Sequence, residues 1–166
     1  FFGRFDRTWD DSDQAVAVDW VPGAFALMRR EALDQVGPFD ERFFLYYEEV
    51  DLCRRFHAQG WKIMYWPDVV IRHWGAAASK TVENQDFSSS GSQLTLWRMR
   101  SELLYYRKHH GVLVTRAVAA LESGWHSLRA WRARHQGQQR KAQESERVVA
   151  LMRQAFGGHA VVKRYE

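Results

Sequence analysis

Apolar and polar positions follow two regimes along the chain, a short-period one in front and a helical one behind. From Val16 to Met28 the residues are apolar and β-prone, broken by Pro22-Gly23. Proline cannot donate to a sheet ladder, so a strand must bend or start afresh there, and a strand is predicted over Ala24–Met28. Arg29 to Val36 predicts a short helix stopped by Gly37-Pro38. Phe39 to Tyr47 is aromatic and without period, a loop that can stay ordered only by packing its rings. Glu48 to Gln59 predicts a helix with Glu48, Glu49 and Asp51 in its first turn, Arg54 and Arg55 later, and Gly60 at its end; that order complements the helix dipole. Lys62 to Trp66 and Val69 to His73 predict two short strands joined by Pro67-Asp68. The small, polar stretch from Gly75 to Gly91 predicts a long flexible loop, the kind that invites a functional explanation.

Beyond that loop the period becomes helical. Leu96, Met99, Leu103 and Tyr106 share a face, and Gly111 supplies a break. Val114, Val118, Leu121, Trp125 and Leu128 form the next stripe, flanked by Arg116, Arg129, Arg132 and Arg134. Gln136 to Gln139 is a linker, and Val148, Leu151, Met152 and Ala155 mark a last short amphipathic helix ending at Gly157-Gly158. The first residues, with Gly3, Asp10, Asp11, Ser12 and Asp13, carry no sustained period. There is no internal repeat. The fold class expected is mixed α/β in front, with a few short strands, and helical behind.

Composition narrows the field. A chain of 166 residues is long enough for one domain with a core, and its many aromatics supply the area to bury. One cysteine, Cys53, excludes a disulfide framework and any zinc site built on several thiolates. The formal charge of +4 is unevenly spread, since arginines and histidines dominate from Arg98 onward. A basic rear half suggests an anionic partner, although a solvated helix face gives the same statistics. No apolar run approaches the roughly 20 residues that span a bilayer. Phe1-Phe2-Gly3-Arg4-Phe5 has neither a signal-peptide core nor an initiator Met, so a piece of a longer chain is expected.

Two groups carry candidate chemistry. Glu49 lies four residues before Cys53 and seven before Phe56, on their apolar helix face. A carboxylate there would line a cleft, where desolvation raises its pKa toward that of a useful base; the plainer reading is an acid that serves only the dipole. His73 ends an apolar strand before a small-residue loop, where a neutral imidazole can ligate a divalent metal, or simply be a satisfied surface residue.

Longer patterns add to these. Gly23-Ala24-Phe25-Ala26-Leu27-Met28-Arg29-Arg30-Glu31-Ala32-Leu33 is followed by Val36-Gly37-Pro38-Phe39-Asp40-Glu41-Arg42-Phe43-Phe44. Next come Tyr46-Tyr47-Glu48-Glu49-Val50-Asp51-Leu52-Cys53-Arg54-Arg55, Gly60-Trp61-Lys62-Ile63, Pro67-Asp68 and Ile71-Arg72-His73-Trp74-Gly75. In this order they resemble the acceptor-side, C-terminal half of family 2 inverting glycosyltransferases. Arg100-Ser101-Glu102 and Tyr105-Tyr106-Arg107-Lys108-His109 resemble the following helix in rhamnosyltransferase-like members.

The resemblance implies a GT-A architecture, with residues 1–91 as the acceptor-side part of the catalytic domain and residues 92–166 as a helical C-terminal extension. It implies that Glu49 is the general base, in the place of the family's Asp and one methylene longer, and that Glu48 binds or orients the acceptor. Asp51 is the weaker candidate for the base. Trp20, Gly23, Asp40, Tyr46 and Trp74 would line the acceptor pocket, and core packing is the competing reading for each. His73 would join a divalent Mg or Mn site whose main ligands lie in a preceding N-terminal half; Asp11-Ser12-Asp13 stands at the wrong place in the order to supply them. The partners implied are a nucleotide-sugar donor and a glycan or lipid-linked acceptor of cell-surface polysaccharide synthesis, in the cytoplasm or on the inner face of the plasma membrane. The chain alone would be inactive. A membrane surface, a homo-oligomer or a separate donor-binding half are further partners compatible with the rear helices. Nucleic acid is not expected, since the basic rear carries no recognisable module. The alternative is a non-catalytic glycan- or partner-binding remnant of the same fold.

Overall fold

The computed structural model describes residues 13–72 and 93–157. They form two compact units: residues 13–40 and 48–72 belong to the first, residues 41–47 and 93–157 to the second. The described residues are mostly helical, with one two-stranded sheet.

In the first unit β1 (Val16–Val18) pairs antiparallel with β2 (Ile63–Tyr65), Val16 opposite Tyr65 and Val18 opposite Ile63. Between them in sequence come α1 (Arg30–Val36) and α2 (Glu48–Ala58). The expected strand over Ala24–Met28 does not form; the strand lies earlier, at Val16–Val18, and Phe25 and Leu27 are exposed. Val69 to Arg72 is likewise no strand, and its apolar side chains face solvent. Strand propensity expresses itself only against a partner, and neither segment has one among the described residues.

Helix ends follow the local chemistry. Gly37, at φ 77°, closes α1 by donating its N–H to the Leu33 carbonyl at 2.8 Å. At the end of α2 Gly60 takes φ 81°, its N–H donates to the His57 carbonyl, and Trp61 N–H donates to the Phe56 carbonyl. This is a Schellman motif, and its customary apolar contact is present because Trp61 packs on the cluster that contains Phe56. That cluster, Ala32, Leu52 and Phe56 with Met28, Leu33, Val36 and Ile63 around it, is the core of the first unit.

A charged clamp joins its two helices. Asp51 has no solvent exposure and accepts from Arg55 Nε at 2.9 Å. The rest of the guanidinium donates to the carbonyls of Val36, Gly37 (3.1 Å) and Pro38 (2.7 Å). Arg55 thereby caps the C-terminal end of α1, where carbonyls lack intrahelical donors. The acid that sequence ranked behind Glu49 as a base is thus a structural counterion.

In the second unit α3 (Gln93–His135) is interrupted at Gly111, where φ 81° and ψ 175° break the helical path as expected. It turns through Gly137 into α4 (Gln139–Gly157) by a second Schellman motif, with Gln138 N–H on the Ala133 carbonyl and Gly137 N–H on the Arg134 carbonyl. α4 begins well before the short helix expected around Val148, because Ala142 and Ser145 extend its buried face. Met99, Leu103, Ala119, Met152 and Ala155 form the core of this unit.

Asp51→Ala removes the charged acceptor of Arg55 Nε, while the guanidinium keeps its three carbonyl acceptors. The substitution should destabilise the full chain by about 1.5–3 kcal/mol, read as a lowered urea midpoint with helical circular dichroism as the probe. An unchanged midpoint would show that the clamp contributes nothing to folding.

Candidate active site

α2 opens with two consecutive glutamates, and both are partly buried. The Oε2 atoms of Glu48 and of Glu49 are each buried with no hydrogen-bond partner. Buried carboxylate oxygens are normally satisfied, and an orphan demands an explanation. Burial pushes the Glu49 carboxyl above its usual value; the Glu48 charge adds to the rise, and Glu49's own main-chain N–H opposes it. This is the environment that suits a general base.

The Val21–Gly23 segment runs along the same face of α2. A Cβ built on Gly23 would stand 4.0 Å from Glu49 Cβ, in ordinary contact, so Gly23 and Glu49 are neighbours. The Cys53 thiol is raised by burial, lowered by the Val21 main chain and raised again by Glu49. Buried and protonated, it has no nucleophilic character. The His57 ring lies 3.1 Å from the Asp19 carbonyl, which ties the start of this segment to the far end of α2.

The structure therefore brings Glu48, Glu49 and Gly23 together. Trp20 is exposed on the same unit and Asp40 is half-buried at its edge. Tyr46 belongs to the other unit. His73 and Trp74 lie outside the described residues. Among the described residues no group of three or more His, Cys, Asp or Glu side chains could hold a metal ion.

In the second unit the residues just before α2 are fastened by rings and one hydroxyl. Phe44 stacks on Trp97 at 4.5 Å, Lys108 Nζ sits 5.7 Å from the Phe43 ring, and Ser101 Oγ donates to the Leu45 carbonyl at 2.8 Å. Tyr46 and Tyr47 both adopt φ 67°. Left-handed backbone at two bulky residues costs energy and persists only where the surroundings over-determine it. Tyr47 is held by the Tyr105 ring at 5.5 Å and by a hydrogen bond to Glu102. Burial and the Glu102 charge raise the Tyr47 phenol. Burial and Glu122 raise Glu102, against Arg98 and the Tyr47 hydrogen bond. Sequence reasoning identified the aromatic loop but missed Glu102 as its anchor; only contacts between distant residues reveal it.

Residues 9–92 match the model of the glycosyltransferase-like family 2, about half of the chain. The chain belongs to that family. The glycosyltransferase-like segment ends one residue before α3 begins. It is similar to an N-acetylglucosaminyl-diphospho-decaprenol L-rhamnosyltransferase found in two strains of Mycobacterium tuberculosis, with 46% identity over 56 residues, 34% of this chain and 18% of the relative. It is also similar to rhamnosyltransferase WbbL of Escherichia coli strain K12, with 28% identity over 109 residues, 66% of this chain and 38% of the relative. The chain thus spans well under half the length of the curated relatives it matches. No solved structure matches it.

Within this family 2 chain Glu102 supplies a pH test of the anchor. Its carboxyl is raised above 4.5 in the folded state, so the folded chain binds more protons and stability falls as pH climbs through the raised value. Glu102→Gln keeps the shape and an acceptor for Tyr47. The variant should therefore be the more stable at neutral pH, and the difference should vanish below about pH 4.5, in paired urea titrations. A difference independent of pH would show that Glu102 does not titrate against its burial.

Proposed function

We propose that this chain carries the acceptor side and the general base of an inverting sugar transfer, the base being Glu49. The observation that carries the reading is the buried, unpartnered Glu49 oxygen, on a side chain whose Cβ neighbours Gly23 and whose carboxyl is raised by desolvation. A buried orphan acceptor is an offer to a donor that arrives with the substrate, and an acceptor hydroxyl is such a donor.

In the proposed step the Glu49 carboxylate takes the proton of the acceptor hydroxyl. That oxygen's electron pair forms the bond to the anomeric carbon from the face opposite the nucleoside diphosphate. The bond from the anomeric carbon to the diphosphate oxygen breaks, its electron pair leaves with the diphosphate, and the configuration inverts. Glu48, with its own orphan oxygen, orients the acceptor through a second hydroxyl. Trp20 and Gly23, together with Asp40, Tyr46 and Trp74, are the proposed acceptor contacts, the aromatics for stacking on sugar faces.

The nucleotide-sugar itself is assigned to a preceding half of a GT-A domain. When bound, a divalent cation such as Mg²⁺ or Mn²⁺ supplies neutralisation of the departing diphosphate. His73 is the proposed ligand from this chain, the other ligands belonging to that preceding half. Similarity to two rhamnosyltransferases, one of them acting on an N-acetylglucosaminyl-diphospho-decaprenol, supports a rhamnosyl donor and an acceptor linked to a lipid through diphosphate. The proposed reaction belongs to cell-surface polysaccharide assembly, on the cytoplasmic side of the plasma membrane.

Glu49→Gln, in the intact enzyme, should lower kcat by about 10²–10⁴ while the affinity for the nucleotide-sugar stays within error. For the parent enzyme the acidic limb of the pH–rate profile should fall above the ordinary glutamate value, as burial demands. Full activity in Glu49→Gln would remove the base from this residue.

A further inference from the structure

The arm of α3 that follows Gly111 is built inside out for a helix of a globular protein. Its buried positions are small, namely Thr115, Ala119, Ala130 and Ala133, and Ala119 joins Met152 and Ala155 of α4 in the core. Its large apolar residues face outward. Leu121 is 74% exposed, Trp125 63% and Leu128 54%, with Val114 exposed on the same azimuth. The spacing 114, 121, 125, 128 keeps all four on one side of the helix, and the stripe runs about 20 Å along the axis. Leu113 and Trp131 widen it and are exposed too. Solubility alone would not select such a surface, and contiguous exposed apolar patches mark interaction sites.

Charge identifies the occupant. Residues 112–135 contain Arg116, Arg129, Arg132 and Arg134 against a single acid, Glu122. Arg134 is engaged by Glu146 of α4, and Glu122 is half-buried. Arg116, Arg129 and Arg132 are exposed, the latter two at the C-terminal end of the stripe. Their stems can lie along apolar surface with the guanidinium raised into a polar layer, and a tryptophan on such a face suits the boundary between acyl chains and headgroups. Among the described residues no helix is long and apolar enough to cross a membrane, so the geometry is that of a helix lying in the interface.

We infer that the arm of α3 after Gly111 lies flat on an anionic lipid surface, with Leu121, Trp125 and Leu128 in the acyl boundary and Arg129 and Arg132 among the headgroup phosphates. A second copy of the chain is a poorer occupant, because the stripe offers those arginines no exposed acid of its own. The inference rests on the exposed face and its charge, and is independent of the transfer reaction.

The test uses the full chain and sedimentation with vesicles of phosphatidylcholine, with and without phosphatidylglycerol. Binding is expected to the anionic vesicles and to weaken with salt. Leu121→Asp and Trp125→Asp, both at exposed positions, should keep the helical circular dichroism of the parent and lose tenfold or more in vesicle affinity. Arg129→Gln and Arg132→Gln should each lose about fivefold, on anionic vesicles only. Equal binding to neutral and anionic vesicles would overturn the inference. So would unchanged binding of Leu121→Asp, or a dimer in analytical ultracentrifugation that Leu121→Asp dissolves while the parent ignores vesicles. Because no sugar nucleotide enters the assay, its failure leaves the Glu49 assignment standing, and a loss of the base leaves vesicle binding standing.

Discussion

Asp51 holds Arg55 from within the core of the first unit, and that one charged hydrogen bond determines where the remaining guanidinium nitrogens can point. They point at three successive carbonyls where α1 ends, so the rotation of α2 about its own axis is fixed against α1. Everything proposed for Glu48 and Glu49 depends on that rotation. Residues spaced by three and four share a helix face, so turning Asp51 and Leu52 inward fixes the azimuth of Glu48, and turning Cys53 inward fixes that of Glu49. A salt bridge so buried is weak evidence for stability in general. Its service here is directional: a planar fork accepts only one arrangement of acceptors.

The two acids on α2 are therefore treated in opposite ways by the same helix. Asp51 is dry and fully partnered, whereas Glu49 is dry in part and left with an orphan oxygen. A chain in which every level agrees would satisfy both. Local rules that fail beside rules that hold mark functional positions, and the contrast within one turn makes the mark sharper than either residue alone.

Glycine-based stops were the most legible features of the sequence. Gly37, Gly60, Gly111 and Gly137 all carry the positive φ that a break or helix end requires, and the acidic first turn of α2 was readable from charge order. Strands were less so. Val16–Met28 and Val69–Ile71 have similar β-prone character, and only a three-residue piece of the former found a partner; pairing is a long-range property that no local window contains. The candidate site divides in the same way. Glu48, Glu49 and Gly23 could be named from the chain, but the orphan oxygens and the Asp51–Arg55 clamp exist only once distant carbonyls are placed. The stripe on α3 was visible as a period of apolar residues. Which side of the helix faced water was not, because that depended on alanines and a threonine being preferred for packing against α4.

The aromatic loop has a consequence during synthesis. Leu45 and Ser101, which fasten to each other, are 56 residues apart. At a ribosomal pace of roughly 5–20 residues per second, Phe43, Phe44 and Tyr47 emerge roughly 3–11 s before the helix that receives them. During that interval the strained tyrosine pair has no reason to adopt left-handed backbone, and three bare rings are on offer to any holdase. The aromatic loop can thus acquire its final geometry only after translation has passed well beyond it.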